Sequence, residues 1–521
     1  MKKITVLKPD EAVNLVKDGD VLTTSGFVGC ANAESLNKAL EGRFLRTGSP
    51  RDLTLIYAAS QGNRDGRGAE HYAHKGLLKR VIAGHYNTAP KLAEMIIAND
   101  IQGYNIPQGT LLHLFRDIAG GKLGTLTKIG LHTFADPRNG GGCLNSITTE
   151  CMSKVIEVDG QEVLFYKTFP IDVAFIRGTY ADEYGNISFE KEVSPLEGTS
   201  VAQAVYNSGG KVIVQVEKVV HAGTLDPKLV KIPGIYVEAV VVAERDGDHQ
   251  QCFDCSYDPA LTGEVRVPTN MIPTIPLNTK KVIGRRAAME LRSDTVINLG
   301  VGIPEYVAAV AGEEGIGGYF TLTVESGPIG GIPQGGKRFG SSLNPDCLID
   351  QPYQFDFYDG GGLDCAFLGL AQADEEGNIN VSRFGPRIAG CGGFINISQN
   401  AKSLVFCGTF TTGGLRVSIG DGKIKILQEG KQKKFLKTVE QITFNGPYAV
   451  QKEQSVKYIT ERAVFELRKD GVYLTELAPG IDLQTQILDL MDFTPKMEDN
   501  VKIMDSAIFR DELMGLNKER E

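Results

Sequence analysis

The chain has 521 residues, 42% of them hydrophobic and 23% charged, with a formal net charge of −9. That length exceeds one hydrophobic core, so two or more domains are expected, and the composition excludes a largely disordered chain. The acidic balance gives no general attraction to nucleic acid or anionic membrane, so any anionic substrate must be met by local donors.

No run of about 18 apolar residues occurs, so no transmembrane helix is predicted. Lys2 and Lys3 lead to Pro9, Asp10 and Glu11 rather than to an apolar core, so no signal peptide is expected. Nine scattered cysteines, odd in number, fit free thiols in a reducing cytoplasm.

In chain order, 20–26 reads as a short apolar strand entering a glycine turn. Residues 53–59 and 211–216 read as buried strands, and 90–99 as a helix with Leu92, Met95 and Ile96 on one face. Residues 110–119 continue the helical pattern after Gln108. The polar, proline-bearing stretch 244–279 suits a linker. Beyond it, Pro304 suits the first turn of a helix after Gly302. Residues 319–324 form a strand, and 456–460 and 472–477 read as strands around the turn Lys469-Asp-Gly471.

An internal duplication organises these elements. Residues 172–188 match 364–380 at a constant offset of 192, with nine of 17 positions identical. A weaker match joins 20–26 to 294–300, so the first half carries about 80 extra residues between its two motifs. The fold class expected is α/β: two homologous open α/β domains, 1–243 and 280–521, joined by the linker 244–279. A site between the halves is expected.

Chemistry narrows to few residues. All seven histidines lie at or before His249, so a nucleophile–imidazole pair confined to the second half is excluded. That half instead offers Glu325 at the end of an apolar strand, followed by Ser-Gly-Pro-Ile-Gly-Gly-Ile-Pro-Gln-Gly-Gly336. Ligand sites in open α/β sheets lie beyond the C-terminal strand ends, and glycine lets a ligand approach the backbone. A glutamate of ordinary pKa, about 4.3, is ionised at pH 7 without a general base. Three other signals carry little. Cys252-x-x-Cys255 has no second pair, and His71-x-x-His74 no third ligand, so no metal is expected. Gly300-x-Gly302 lacks the third glycine of a dinucleotide fingerprint, because Glu305 stands there.

The Glu325 segment resembles the catalytic loop of the family I CoA-transferases, most closely the single-chain propionate/acetate type. Gly26-Phe-Val-Gly29, residues 60–67, Pro107-Gln-Gly-Thr-Leu111, Asp136-Pro-Arg-Asn-Gly-Gly-Gly142, Asn298-Leu-Gly-Val-Gly-Ile-Pro-Glu305 and Gly390-Cys-Gly-Gly-Phe394 match in the same order, over nearly the whole chain. The resemblance implies that both halves have the CoA-transferase fold, a half-domain similar to the sugar-phosphate isomerases. It implies transfer of CoA between a short-chain acyl-CoA and a free carboxylate such as acetate or propionate, by a ping-pong route through a glutamyl-CoA thioester at Glu325. It further implies Gln108 and Gly393 as oxyanion donors, Gly392 in the same mobile loop, and Gly327, Gly330 and Gly331 along the CoA channel. CoA would be substrate and covalent intermediate, with no resident cofactor and no metal. The partners implied are acyl-CoA and short-chain carboxylates, without nucleic acid or membrane, in a cytoplasmic homo-oligomer, tetramer or dimer. Two alternatives stand beside this: an acyl-CoA hydrolase using the same glutamate, and a non-catalytic ligand-sensing module. The lysines of 423–437 could meet nucleotide phosphates, although a solvated charged face is the simpler reading.

Overall fold

Apolar runs build parallel sheets in the structure, a computed structural model that describes residues 3–268 and 274–517. One sheet of eight strands has the order Thr5–Leu7, Val237–Val242, Lys211–Val216, Val173–Arg177, Val21–Thr24, Leu53–Tyr57, Leu78–Ala83, Gln102–Asn105. Each neighbouring pair runs parallel. Leu53–Tyr57 and Val173–Arg177 are buried at each position, as strands covered on both faces must be.

A second sheet runs parallel through Thr321–Thr323, Val296–Leu299, Cys365–Gly369, Ser403–Cys407 and Ser455–Ile459. It continues antiparallel through Ala463–Arg468 and Gly471–Leu477 and ends on Lys496–Ile503. The turn Lys469-Asp-Gly471 therefore closes a hairpin whose first arm is Ala463–Arg468, a strand missing from the sequence reading. Pro304 is the cap of helix Glu305–Glu313 and not its first residue.

The chain divides into two compact units. One gathers Met1–Arg266 with Val324–Asp359 and Arg383–Asn396; the other gathers Val267–Thr323, Gly360–Ser382 and Ile397–Glu521. The first has a core of residues such as Leu22, Leu36, Leu55, Leu92 and Phe175. The second has its own, including Ile297, Phe367, Val405, Ile459 and Val464. Of the proposed linker 244–279, residues 269–273, with Pro273, lie outside the described residues, as does Lys2. Among the described residues no helix is long and apolar enough to cross a membrane.

The duplicated motif has a physical explanation in both copies. Asp172 Oδ2 accepts the Val21 N–H at 2.8 Å, and Asp364 Oδ2 accepts the Val296 N–H at 2.8 Å, so each aspartate ties two neighbouring strands. Downstream, Asp182 Oδ1 accepts from the N–H groups of Tyr184 and Asn186 at 2.9 and 3.0 Å. Asp374 Oδ1 accepts from Glu376 and Asn378 at 3.2 and 2.9 Å in the same way. Asn186 and Asn378 each accept a further glycine N–H at 2.9 Å, from Gly234 and Gly446. The Asp-Glu-x-Gly-Asn identity is thus a folding motif, a turn whose polar backbone is satisfied by two side chains.

The two copies allow a direct check. Asp182→Ala and Asp374→Ala each leave the two N–H groups of the turn without their acceptor, the second also that of Val439, and each should destabilise by about 2 kcal/mol. Thermal unfolding should show a loss of several degrees for either variant, with similar size for the two.

Candidate active site

Glu325 stands two residues beyond strand Thr321–Thr323, where the chain enters the first unit at Val324. The following turn is tight: the Gly327 N–H donates to Val324 O at 3.0 Å, and the Val324 N–H donates to Pro328 O at 2.9 Å. Gly327 has φ +128°, and a side chain there would run into Ile349 O and Ser194 Oγ. Ser194 Oγ lies 2.6 Å from Ser326 O, to which it donates, and Ser326 Oγ donates to Gly340 O at 2.5 Å. The turn carrying Glu325 is therefore braced on both sides by buried hydroxyls.

A second segment meets it. The Gly392 N–H donates to Gly84 O at 2.7 Å, and Gly392 O accepts the Gln108 N–H at 3.0 Å. Asn105 holds both strands of this contact. Its Nδ2 donates to Ala83 O at 3.0 Å and Gly84 O at 2.6 Å, while its Oδ1 accepts the Cys391 N–H at 3.0 Å. Gly393 then lies against the carboxylate: a side chain there would overlap Glu325 Oε2 and crowd Phe355. Among the described residues the Gly393 N–H has no partner.

Gln108 completes the group. It is the first residue of helix Gln108–Ala119, with Pro107 as cap, so the loop position expected before the helix is corrected by two residues. Gln108 is only 2% exposed, yet among the described residues its Nε2 has no hydrogen-bond partner. Such a group costs stability and calls for an explanation. Its Oε1 and the His85 ring lie beside Gly392, at 3.8 and 3.7 Å from where a side chain would start. Glu325, Gln108, Gly392 and Gly393 come from both sequence halves but share the first compact unit.

Electrostatically, Glu325 is half-buried, and no donor reaches its carboxylate among the described residues. Burial alone pushes its pKa up to about 7, which corrects the expectation of an ordinary, fully ionised glutamate. Burial pushes Glu197 to about 7 as well, but Glu197 is 0% exposed. Accessibility, not the pKa, separates a candidate nucleophile from a buried structural acid.

Three participants escaped the sequence reading: His85, Asn105 and Ser194. Burial and the guanidinium groups of Arg64 and Arg387 lower His85 to about 4, so its imidazole is neutral. Their only sequence signal is position, His85 and Asn105 at strand ends and Ser194 in the loop before helix Gly198–Asn207, which many inert residues share. The remaining candidates have local roles. Gly330 and Gly331 leave room for Asp346 and Leu343 O within the glycine-rich segment. His71 bridges Glu34 and Glu41 at 2.9 and 2.6 Å, and His74 also binds Glu41, at 2.7 Å. The lysine run is dispersed: Lys433 pairs with Asp492 at 2.9 Å, Lys437 pairs with Glu375, and Lys434 is buried.

The chain was compared with known proteins. A family model described as coenzyme A transferase matches residues 6–243. The acetate CoA-transferase YdiF of Escherichia coli K12 is 43% identical over 515 residues, 98% of this chain and 96% of that protein. The chain belongs to the coenzyme A transferase family. The caffeate CoA-transferase of Acetobacterium woodii is 46% identical over 512 residues, 97% of this chain and 98% of that protein. Two crystal structures of the acyl-CoA transferase YdiF from E. coli O157:H7 superpose on it, each at 42% identity over 99% of this chain and 98% of theirs. The apoenzyme has a TM-score of 0.94, and the thioester complex with CoA 0.93. The two open α/β domains expected from the sequence are those of a CoA-transferase.

The raised pKa of Glu325 has a sign that can be tested. Between about pH 4.5 and 7 the folded protein holds a proton that the unfolded chain releases, so this residue's contribution falls as pH rises through that window. Glu325→Gln should therefore stabilise the unliganded enzyme at pH 8, by at most about 3 kcal/mol, and much less at pH 4.5. Thermal unfolding of both forms across pH measures the difference.

Proposed function

We propose that the protein transfers CoA between a short-chain acyl-CoA and a free carboxylic acid of the acetate or propionate type, with Glu325 as nucleophile. The observation that carries this reading is an accessible carboxylate with no donor of its own, set against the unpartnered N–H of Gly393. Similarity to an acetate and a caffeate CoA-transferase supports transfer to carboxylic acids.

The ionised Glu325 attacks the thioester carbonyl, the C–S bond breaks, and an acyl-glutamyl anhydride forms with release of CoA thiolate. The thiolate attacks the glutamyl carbonyl, leaving glutamyl-CoA thioester and the free first carboxylate. An acceptor carboxylate attacks that thioester to form a new anhydride, and CoA thiolate attacks its acyl carbonyl to restore Glu325. Each attack builds an oxyanion. The Gly393 N–H and the Gln108 Nε2 amide are the donors we assign to it, since neither has another partner. The backbone beside both donors is pinned before substrate arrives, Gly392 to Gly84 and to the Gln108 N–H, which limits the reorganisation needed at the transition state. The neighbouring Gly392 belongs to the same loop, and Gly327, Gly330 and Gly331 are assigned to the CoA channel. This route needs neither a resident cofactor nor a metal. We further place the protein in the cytoplasm as a homo-oligomer.

An unpaired glutamate is also a better nucleophile than a solvated one, because no hydrogen bonds need to be broken before attack. The penalty is protonation near neutrality. The acyl-CoA kcat/KM, which reports the free enzyme, should fall below about pH 7, approaching tenfold per pH unit. A flat profile from pH 5 to 8 would contradict the raised pKa.

The chemistry is tested by intact mass after incubation with acyl-CoA. An adduct of CoA minus water should form on the peptide holding Glu325, and none in Glu325→Gln. Thioester loss that proceeds at full rate with no acceptor acid would instead identify a hydrolase. Gly393→Ala, which forces Glu325 aside, should cut kcat by about 100-fold or more while the chain remains folded.

A further inference from the structure

Two arginines outside the reacting group converge on one asparagine. Arg64 Nε donates to Asn87 O at 2.8 Å, and Arg387 Nη2 donates to Asn87 Oδ1 at 2.8 Å. They come from separate segments, the loop after strand Leu53–Tyr57 and the hairpin Arg383–Phe384/Arg387–Ile388. Both are exposed, and among the described residues neither has a carboxylate partner. Asp65 is adjacent to Arg64 in sequence but forms no ion pair with either guanidinium.

The arrangement is built. Arg64 is a non-glycine residue with φ +67°, a conformation that costs free energy unless the surroundings impose it. Its own N–H donates to Thr88 O at 2.9 Å, and Ser60 Oγ meets Thr88 Oγ1 at 2.5 Å, which pins the loop to Asn87-Thr88. The backbone of 84–87 then runs beside 387–392 in opposite directions. The Gly392 N–H donates to Gly84 O at 2.7 Å, the Tyr86 N–H donates to Ala389 O at 2.8 Å, and Arg387 meets Asn87 next. Gly393, at the inner end of this ladder, touches Glu325. The arginines stand at its outer end, six residues away, a span of at most about 20 Å.

We propose that Arg64 and Arg387 form a phosphate-binding site for the nucleotide end of CoA. The inference rests on the CoA-transferase reading above. CoA has its reacting sulfur at one end of a long flexible arm and its phosphates at the other. A pair of guanidiniums displaced from the nucleophile along one ladder matches that division. Guanidinium forks bind phosphate through paired, charge-assisted hydrogen bonds. The acceptor's carboxylate does not fit this position, because it must reach Glu325 itself. In an acidic protein, such a pair also steers an anionic substrate to the correct face.

The test compares acetyl-CoA with S-acetylpantetheine, which lacks the phosphates, in Arg64→Gln, Arg387→Gln and the double variant. Each single change should raise KM for acetyl-CoA about tenfold, the scale of one charge-assisted pair, with kcat within about twofold. KM for S-acetylpantetheine and for the acceptor propionate should not move. Arg387→Lys should recover part of the loss. An unchanged KM for acetyl-CoA would overturn the site, and so would equal effects on both thioesters or an effect confined to propionate. The Glu325 adduct should still form in each variant at saturating acetyl-CoA. If it is absent from the unaltered enzyme as well, the functional reading fails rather than this site.

Discussion

The contact between Gly393 and the Glu325 carboxylate is the constraint on which the site depends. It sets the residue at 393, because a side chain would overlap Oε2. Burial of the carboxylate raises its pKa to about 7. Most buried carboxylates recover that cost through donors. Among the described residues Glu325 has none, and the nearby unsatisfied groups, the Gly393 N–H and Gln108 Nε2, are donors without acceptors. The free enzyme thus carries an acid and two donors that are not matched to each other, an arrangement suited to an oxyanion that forms only during reaction.

The scaffolding is organised around holding these few atoms. Ser194 and Ser326 brace the turn at one side. Asn105 locks the other, binding Ala83, Gly84 and Cys391 at once. The hydrogen bonds of neither brace go to the Glu325 carboxylate. They fix backbone, and the backbone fixes the carboxylate and the loop glycines. Precision of this kind comes from side chains buried within rigid elements, here the ends of strands Leu78–Ala83 and Gln102–Asn105.

The duplication shows what was legible in the sequence. It was visible because Asp172/Asp364 and Asp182/Asp374 solve identical backbone problems in both copies. Folding constraints repeat with the fold; the site does not. Strands Leu78–Ala83 and Gln102–Asn105 and helix Gln108–Ala119 lie between the two repeated motifs of the first half, a stretch about 80 residues longer than its counterpart, and these elements and their ends supply His85, Asn105 and Gln108. No internal comparison could find them. Glu325 was legible as a strand-end carboxylate before glycines, and Gln108 only through family resemblance. The pKa was not legible, since it depends on how much protein surrounds the carboxylate and not on its neighbours in sequence. The histidine count misled in one respect. The second half lacks histidine, yet His85 of the first half lies beside the Gly390–Gly393 loop, neutral because burial and two arginines oppose its charge.

The central claim is that Glu325 waits in the free enzyme as a carboxyl group without hydrogen-bond donors. Infrared difference titration against Glu325→Gln reads that group directly, through its protonated C=O stretch. A midpoint near pH 7, with a high stretching frequency typical of a carboxyl free of donors, is the predicted result. A midpoint near 4.5, or a frequency shifted down by strong hydrogen bonding, would contradict it.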